Sequence, residues 1–421
     1  MFGRFETYYG KTIRVVPNGF STLDIARLIA KEKNEKKDDD AFAVLNLRCL
    51  IDRFLEWKQK LPRIQPFFAI KCHNDPVLLR LLANLGFGFD CASKAEIEMI
   101  LNEKLVDTQK IIFANPCKTN SYIKHASQSN VRLMTFDSAE ELVKIKELHE
   151  SPKMILRIAA NDKEAQCQLS AKYGSDPMKE APELLELAFE LSIPVVGVSF
   201  HVGSGCRDPT AFEIAIKHAK RLFEFGKAIG HNMKILDIGG GFPGFDSEEV
   251  TFDKIVNVIT PCLDEYFPLE MDISIIAEPG RFFASAPTSI ITNVIAAVKV
   301  PASRNAVNTV TDEVNYFYYV NDGVYGSFNC ILFDHYSPHA RALFDDDTDQ
   351  AEYSSSVWGP TCDSLDLIET NAKLRLLKVG DWIYFENMGA YSLVAASNFN
   401  GFVKTQTVHV IDEETWQAIR K

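Results

Sequence analysis

Residues 67–91 read FFAIKCHNDPVLLRLLANLGFGFDC. From Phe67 the chain is uncharged until Lys71 closes the segment, Pro76 to Leu85 has helical spacing, and GFGFDC returns to a short β-rich apolar run. A strand, an amphipathic helix and a second strand form the unit of parallel sheets, because the helix carries the chain back alongside the first strand. Outward from this stretch the unit recurs: between Phe67 and Arg281 the β-rich segments are FFAIK, GFGFDC, IIFAN, RLMTFD, MILRIA, VVGVSF, KILDIG and ISIIAE. Eight units predict a closed (β/α)8 TIM-like barrel of the α/β class, since open doubly wound sheets usually have fewer strands. Among the intervening helices, Ser138 to Leu148 opens on a serine at its N-cap.

Ala41 to Leu47 is a ninth candidate strand, read as the lead-in to the barrel. Beyond residue 285 the texture changes to β-branched runs (SIITNVIAAV, VNYFYYVND, LRLLKVGDWIYFE, SLVAAS), which predict a mostly antiparallel β domain joined by the N-terminal strand TIRVV. The expected division is 1–40 as an N-terminal strand and linker, 41–285 as the barrel and 286–421 as the β domain. The polar run Lys31 to Asp40 reads as a solvated loop or helix end.

The chain has 421 residues, 46% hydrophobic and 24% charged, with a net charge of −12. That balance fits a folded enzyme, disfavours nucleic acid as a partner and is compatible with a cationic substrate. No apolar run is long enough to span a bilayer and the N-terminus lacks a secretion signal, so a cytoplasmic location is expected. Nine scattered cysteines without a Cys-x-x-Cys pair point away from disulfides and metal.

Barrel active sites lie at the C-terminal ends of the strands, so polar residues closing apolar segments carry the chemistry. They are Lys71; Asp90 with Glu96 after it; Arg157; His201, Ser204 and Gly205; Gly239, Gly240 and Gly241; and Glu278, Gly280 and Arg281. A lysine at a strand end is by itself more often a snorkelling surface cation, but its alternative is imine chemistry with an aldehyde cofactor. The glycine run and Gly280-Arg281 suit a phosphate, His201 a flat ring to stack on a flat cofactor, and Glu278 a carboxylate against a pyridine nitrogen.

FAIKC around Lys71, FDCAS around Asp90, FHVGSGC around His201, LDIGGGFPG around Gly240, AEPGR around Glu278, GPTCDSLD around Cys362 and VGDWIYFENMGAY around Tyr391 together resemble the eukaryotic-type ornithine decarboxylases. The resemblance runs from about Ala41 to Phe402. It implies pyridoxal 5′-phosphate held covalently by Lys71, with Asp90 and Glu96 nearby, His201 stacked on the ring, Glu278 on its nitrogen and Arg157 organising the surroundings. Ser204, Gly239, Gly240, Gly241, Gly280, Arg281 and Tyr391 would take the phosphate. It also implies Cys362 as the acid that protonates Cα after CO2 leaves, and Asp334 and Asp363 as partners of the distal ammonium of L-ornithine. Cys362, Asp363, Tyr325 and Phe399 would reach the partner subunit's pocket in a homodimer, and Lys172 and Asp366 would bridge the subunits. An antizyme-like regulator is a possible partner under the same resemblance.

Three residues depart from the family pattern: His73, Phe333 and Ser364, the last standing where glycine is usual in the Cys362 loop. The chain also ends at Lys421 without the degradation tail of some relatives, so control through such a tail is not expected. Two alternatives remain: a catalytically inactive antizyme-binding homologue, and a decarboxylase preferring lysine or arginine.

Overall fold

The computed structural model describes residues 2–160, 165–247, 250–301, 304, 314–344 and 351–420. The chain divides into two compact units, one formed by residues 54–283 and the other by 1–53 with 284–421.

Three strands come first, β1 (Arg4–Tyr8), β2 (Lys11–Val16) and β3 (Phe42–Asn46). Eight follow within the second unit: β4 (Ile64–Ala69), β5 (Gly88–Cys91), β6 (Ile111–Phe113), β7 (Leu133–Phe136), β8 (Lys153–Ile158), β9 (Val195–Phe200), β10 (Ile235–Asp237) and β11 (Ser274–Ala277). They pair in chain order, every neighbour parallel, and β11 closes on β4 to complete the barrel. All eight correspond to the segments read from the sequence.

Local chemistry explains the crossovers. Asp75 caps the helix Pro76–Asn84 by accepting from the N–H groups of Val77 and Leu78, and Pro76 occupies the first turn, where no N–H partner is needed. Ser138 sits at the N-cap of the helix Ala139–Leu148 as expected, but its hydroxyl makes no capping bond. The barrel interior is packed by Phe67, Ile112, Ala114, Leu133, Ile155 and Ile276, with Val196 and Ile235 against them. Strand β5 contributes Gly88 here, and the Phe67 ring fills its place: a Cβ on Gly88 would lie 2.4 Å from that ring.

The other unit is a ten-stranded mixed sheet. Its remaining strands are β12 (Thr288–Pro301), β13 (Val314–Val320), β14 (Arg341–Ala342), β15 (Glu352–Trp358), β16 (Leu367–Arg375), β17 (Trp382–Phe385) and β18 (Gln406–Asp412). The long β12 pairs antiparallel with β3 and β17 along its first half and with β13 along its second, with a register shift between Val294 and Ala296 near the start of the β13 ladder. The parallel pairs are β13 with β15 and β18 with both β2 and β3. The strand TIRVV is β2 and joins this sheet.

Two expectations are corrected. Residues 41–47 do not lead into the barrel: β3 lies between β18 and β12, and residues up to 53 belong with the sheet. The segment SLVAAS is not a strand but a turn around the 3-10 helix Leu393–Ala395. Lys31 to Asp40 carries the end of the helix Thr22–Lys36, stopped by Lys37 in the left-handed conformation at φ 56°. Among the described residues no helix is long and apolar enough to cross a membrane.

Candidate active site

The apolar barrel interior ends in a charged layer. Side chains alternate along a strand, so the residue two positions beyond an interior one faces inward again. Two positions beyond Gly88, Ile155, Ile235 and Ile276 stand Asp90, Arg157, Asp237 and Glu278. Asp90 and Asp237 are fully buried and Glu278 is 8% exposed. Lys71 follows β4 in the one-turn 3-10 helix Ile70–Cys72, and its amine donates to the Asp90 carboxylate. Burial pushes the Glu278 carboxyl well above its usual range, with the Asp237 and Asp90 charges adding to the shift. Asp237 is pushed up by burial as well, against the pull of the Gly239 N–H and Arg157.

His201 follows β9 at the rim. The Gly203 N–H donates to its Nδ1 at 3.0 Å, which leaves the proton of a neutral ring on Nε2. Burial, then the Arg157 and Lys71 cations, hold the imidazole well below its usual value, so the ring is neutral at physiological pH. A Cβ on Gly240 would come within 2.8 Å of His201 Nε2 and 3.0 Å of the Glu278 carbonyl. Gly241 sits at φ +106°, a conformation that favours glycine, with Gly203 O 2.9 Å from where a Cβ would be. Across this loop Arg281 Nη2 donates to Ser204 Oγ at 2.9 Å, and Gly280 packs against Cys72. Backbone amides and a guanidinium thus gather where an anion can be received.

The loops are tethered from beneath by aromatic rings that the sequence reading did not single out. Phe242 follows Gly241 and Phe282 follows Arg281, and both rings lie edge-on to Trp57, at 4.8 and 5.3 Å. All three are buried, as is Phe252, which stacks on Trp57 and contacts Phe282. An aromatic immediately after each glycine-bearing turn is the signal that could have revealed this anchor.

The remaining barrel residues have structural contacts. Glu96 accepts from the Ala92 N–H at 2.5 Å while its own N–H donates to Ser93 Oγ, fixing the turn after Asp90. Arg157 and Lys172 both lie over the Tyr173 ring, at 5.4 and 5.0 Å from its centroid.

The sheet unit carries its own polar cluster. Tyr325 stacks on Phe399 at 4.3 Å, and its hydroxyl donates to the Asp363 carboxylate. The Leu365 N–H also reaches Asp363, and the two donors keep this carboxyl below its usual range. Cys362 beside it is an exposed, unbridged thiol. Asp366 is 1% exposed and accepts from the Val324 and Thr361 N–H groups at 2.7 and 2.9 Å. Asp334 is buried. Tyr391 adopts φ 55°, unusual for a side-chain-bearing residue, in a turn held by the Ser392 hydroxyl on Met388 O and by Asn329 Nδ2 on Ser392 O. Ser364 does not occupy the left-handed region, so its backbone does not call for glycine.

Two family models match: "Pyridoxal-dependent decarboxylase, pyridoxal binding domain" over residues 47–285 and "Pyridoxal-dependent decarboxylase, C-terminal sheet domain" over 188–389. The chain belongs to the pyridoxal-dependent decarboxylase family. It is 49% identical to ornithine decarboxylase of Panagrellus redivivus over 99% of this chain and 96% of that one. It is also 45% identical to antizyme inhibitor 2 of Xenopus laevis, over 96% of this chain and 89% of the relative. Among solved structures, the Paramecium bursaria Chlorella virus arginine decarboxylase superposes with a TM-score of 0.84 at 36% identity, covering 92% of this chain and all of that one. This decarboxylase is an enzyme dependent on pyridoxal 5′-phosphate, with the barrel-plus-sheet fold of its relatives.

Proposed function

We propose that this decarboxylase converts L-ornithine to putrescine and CO2, working as a cytoplasmic homodimer. The observation that carries the reading is the buried Glu278 carboxyl on the same barrel rim as the Lys71 amine and the open glycine loop, in a chain 49% identical throughout to an ornithine decarboxylase.

Pyridoxal 5′-phosphate fits these residues. A buried carboxyl oxygen, Glu278 Oε1, has no hydrogen-bond donor among the described residues, and a pyridine N–H would supply one. The cradle at Gly240 and Gly241, which a Cβ would fill, and the Arg281 guanidinium suit the phosphate, with Ser204, Gly239, Gly280 and Tyr391 completing its contacts. When bound, the cofactor supplies an electron sink for the bond broken at the substrate Cα.

Lys71 would hold the cofactor through its side-chain amine. Asp90 orients the Lys71 amine, and Glu96 orients the Asp90 turn. His201, flat and uncharged, would offer its face to the cofactor's ring without adding a competing cation. Glu278 would accept from the cofactor's ring nitrogen and favour its protonated form, while Arg157 would balance the carboxylates around it.

The sheet unit supplies substrate recognition and the returning proton. Asp334 and Asp363 take the distal ammonium, Tyr325 and Phe399 shape the wall beside Asp363, and Cys362 gives its proton to Cα. In a homodimer the Cys362 and Asp363 loop serves the partner's barrel, and Lys172 and Asp366 lie at the subunit boundary. Two carboxylates around one ammonium select a basic amino acid, because a neutral side chain would leave them desolvated without a counter-charge. The nine unbridged cysteines suit a reducing compartment.

A second reading, a non-enzymatic antizyme-binding protein, is favoured by the likeness to antizyme inhibitor 2, and an antizyme-like regulator is compatible with either. An absorbance scan with pyridoxal 5′-phosphate, followed by CO2 release from ornithine, lysine and arginine, tests the proposal. A band lost in Lys71→Ala, with ornithine preferred, is the expected result; no CO2 from any of the three would overturn it, and preference for lysine or arginine would reassign the substrate.

A further inference from the structure

Asp237 has no role in the scheme above, yet it is fully buried in the charged layer beside Glu278. The two acids close adjacent strands: Ile238 N–H donates to Ile276 O and Glu278 N–H to Gly239 O, at 2.9 and 2.7 Å, so the ends of β10 and β11 are locked together. Asp237 Oδ1 accepts from the Gly239 N–H at 2.9 Å. Its Oδ2 receives no N–H or O–H from another residue, and the two carboxyl groups lie within hydrogen-bonding reach of one another. Two facing carboxylate oxygens repel unless one carries a proton. Around the pair stand Asp90 as a third acid, Arg157 and Lys71 as cations, and a neutral His201. Three acids against two cations leave one negative charge in excess, and a single retained proton removes it.

We propose that Asp237 is a positioning residue that shares one proton with Glu278 through one oxygen of that carboxyl, holding the other oxygen toward the cofactor's ring nitrogen. No covalent bond is made or broken in this role; one proton lies between the two carboxyl groups and one negative charge is shared by them. Asp237 acts through Glu278. The Gly239 N–H fixes the Asp237 carboxyl from the far side, so the pair is aimed by the same loop that opens toward the phosphate. This inference rests on Glu278 meeting the ring nitrogen.

The test titrates apo-protein with pyridoxal 5′-phosphate and reads the dissociation constant by quenching of intrinsic fluorescence across neutral and alkaline pH. Asp237→Ala removes the partner carboxyl and is expected to weaken binding about tenfold or more. Asp237→Asn keeps an acceptor for Gly239 and gives Glu278 an N–H that cannot be titrated, so it recovers affinity to within about threefold. Its affinity should also stay level on the alkaline side, where the parent's falls as the pair gives up its shared proton. Equal weakening by both variants, or a Asp237→Asn profile parallel to the parent's, overturns the role; the profile decides even if Asp237→Ala does not fold. Glu278→Gln separates the two levels: unchanged affinity there removes the reading beneath, whereas weakening there with a parent-like Asp237→Ala removes Asp237 alone.

Discussion

The Lys71 amine donates to Asp90, and the two differ sharply in exposure: the lysine side chain is 41% open to solvent and the aspartate 0%. Lysine can find water when the pair is broken, but the carboxylate cannot. Lys71→Ala should therefore lower the stability of the apo-protein by about 1–3 kcal/mol, because a buried acceptor loses its charged donor. Asp90→Asn in the same background should recover most of that loss. Denaturant melts of both single variants and the double variant measure the coupling, and strictly additive effects would show that the bond contributes nothing.

The charged layer also fixes a pH signature. Glu278 and Asp237 have folded pKa values above their ordinary ones, so their contribution to stability is complete below the ordinary carboxylate range, near pH 4, and is lost as pH rises toward the folded values. His201 has a folded value below its ordinary 6.5, so its contribution is present above that pH and is lost as pH falls through it toward the folded value. Relative to the parent, Glu278→Gln should gain melting temperature as pH rises from about 4, and His201→Phe should gain it as pH falls below about 6.5, each by at most about 1.4 kcal/mol per pH unit for one proton. Melting curves of apo-protein that run parallel for parent and variants would contradict both shifts.

The eight barrel strands were legible because parallel strands buried on both faces are apolar runs, and the polar residues closing them mark the end that carries chemistry. The same property misled the reading of β3: all five of its residues are buried, so the run looks alike in a barrel or a sheet, and its partner on β12 begins only at Thr288. SLVAAS has strand-like composition, but Ser392 and Asn329 bind its turn through contacts that no local pattern announces. Lys71 and Glu278 stood out by position. Asp237 lay in a quoted motif unnoticed, because its inward direction follows only from knowing that Ile235 faces the interior.

Trp57 lay outside every motif, yet it joins the two loops that flank the anion cradle. Trp57→Ala would open a cavity beneath both and should cost about 3–5 kcal/mol of stability. The loops would then be held less firmly, so inorganic phosphate and pyridoxal 5′-phosphate should both bind more weakly, whereas Trp57→Phe should retain most of each. Equilibrium unfolding and phosphate titration of the apo-protein read the two effects. Lost stability with unchanged phosphate affinity would separate the aromatic anchor from the cradle.

Tyr325 offers the sharpest test of substrate recognition. Its ring stacks on Phe399 and its hydroxyl orients Asp363, so Tyr325→Phe removes the donor and keeps the stack. Asp363 retains the Leu365 N–H at 3.0 Å and loses one of its two restraints. Asp363 is solvent-accessible, so water screens this hydrogen bond and its loss is a modest one. With Asp363 proposed to hold the distal ammonium, the expected result is a rise of about three- to tenfold in KM for ornithine with kcat little changed, since such a grip is equal in ground and transition states. Asp363→Asn should raise KM further and narrow the preference for ornithine over neutral analogues. A fall in kcat without any change in KM would place Asp363 near the reacting carbon instead of the distal ammonium.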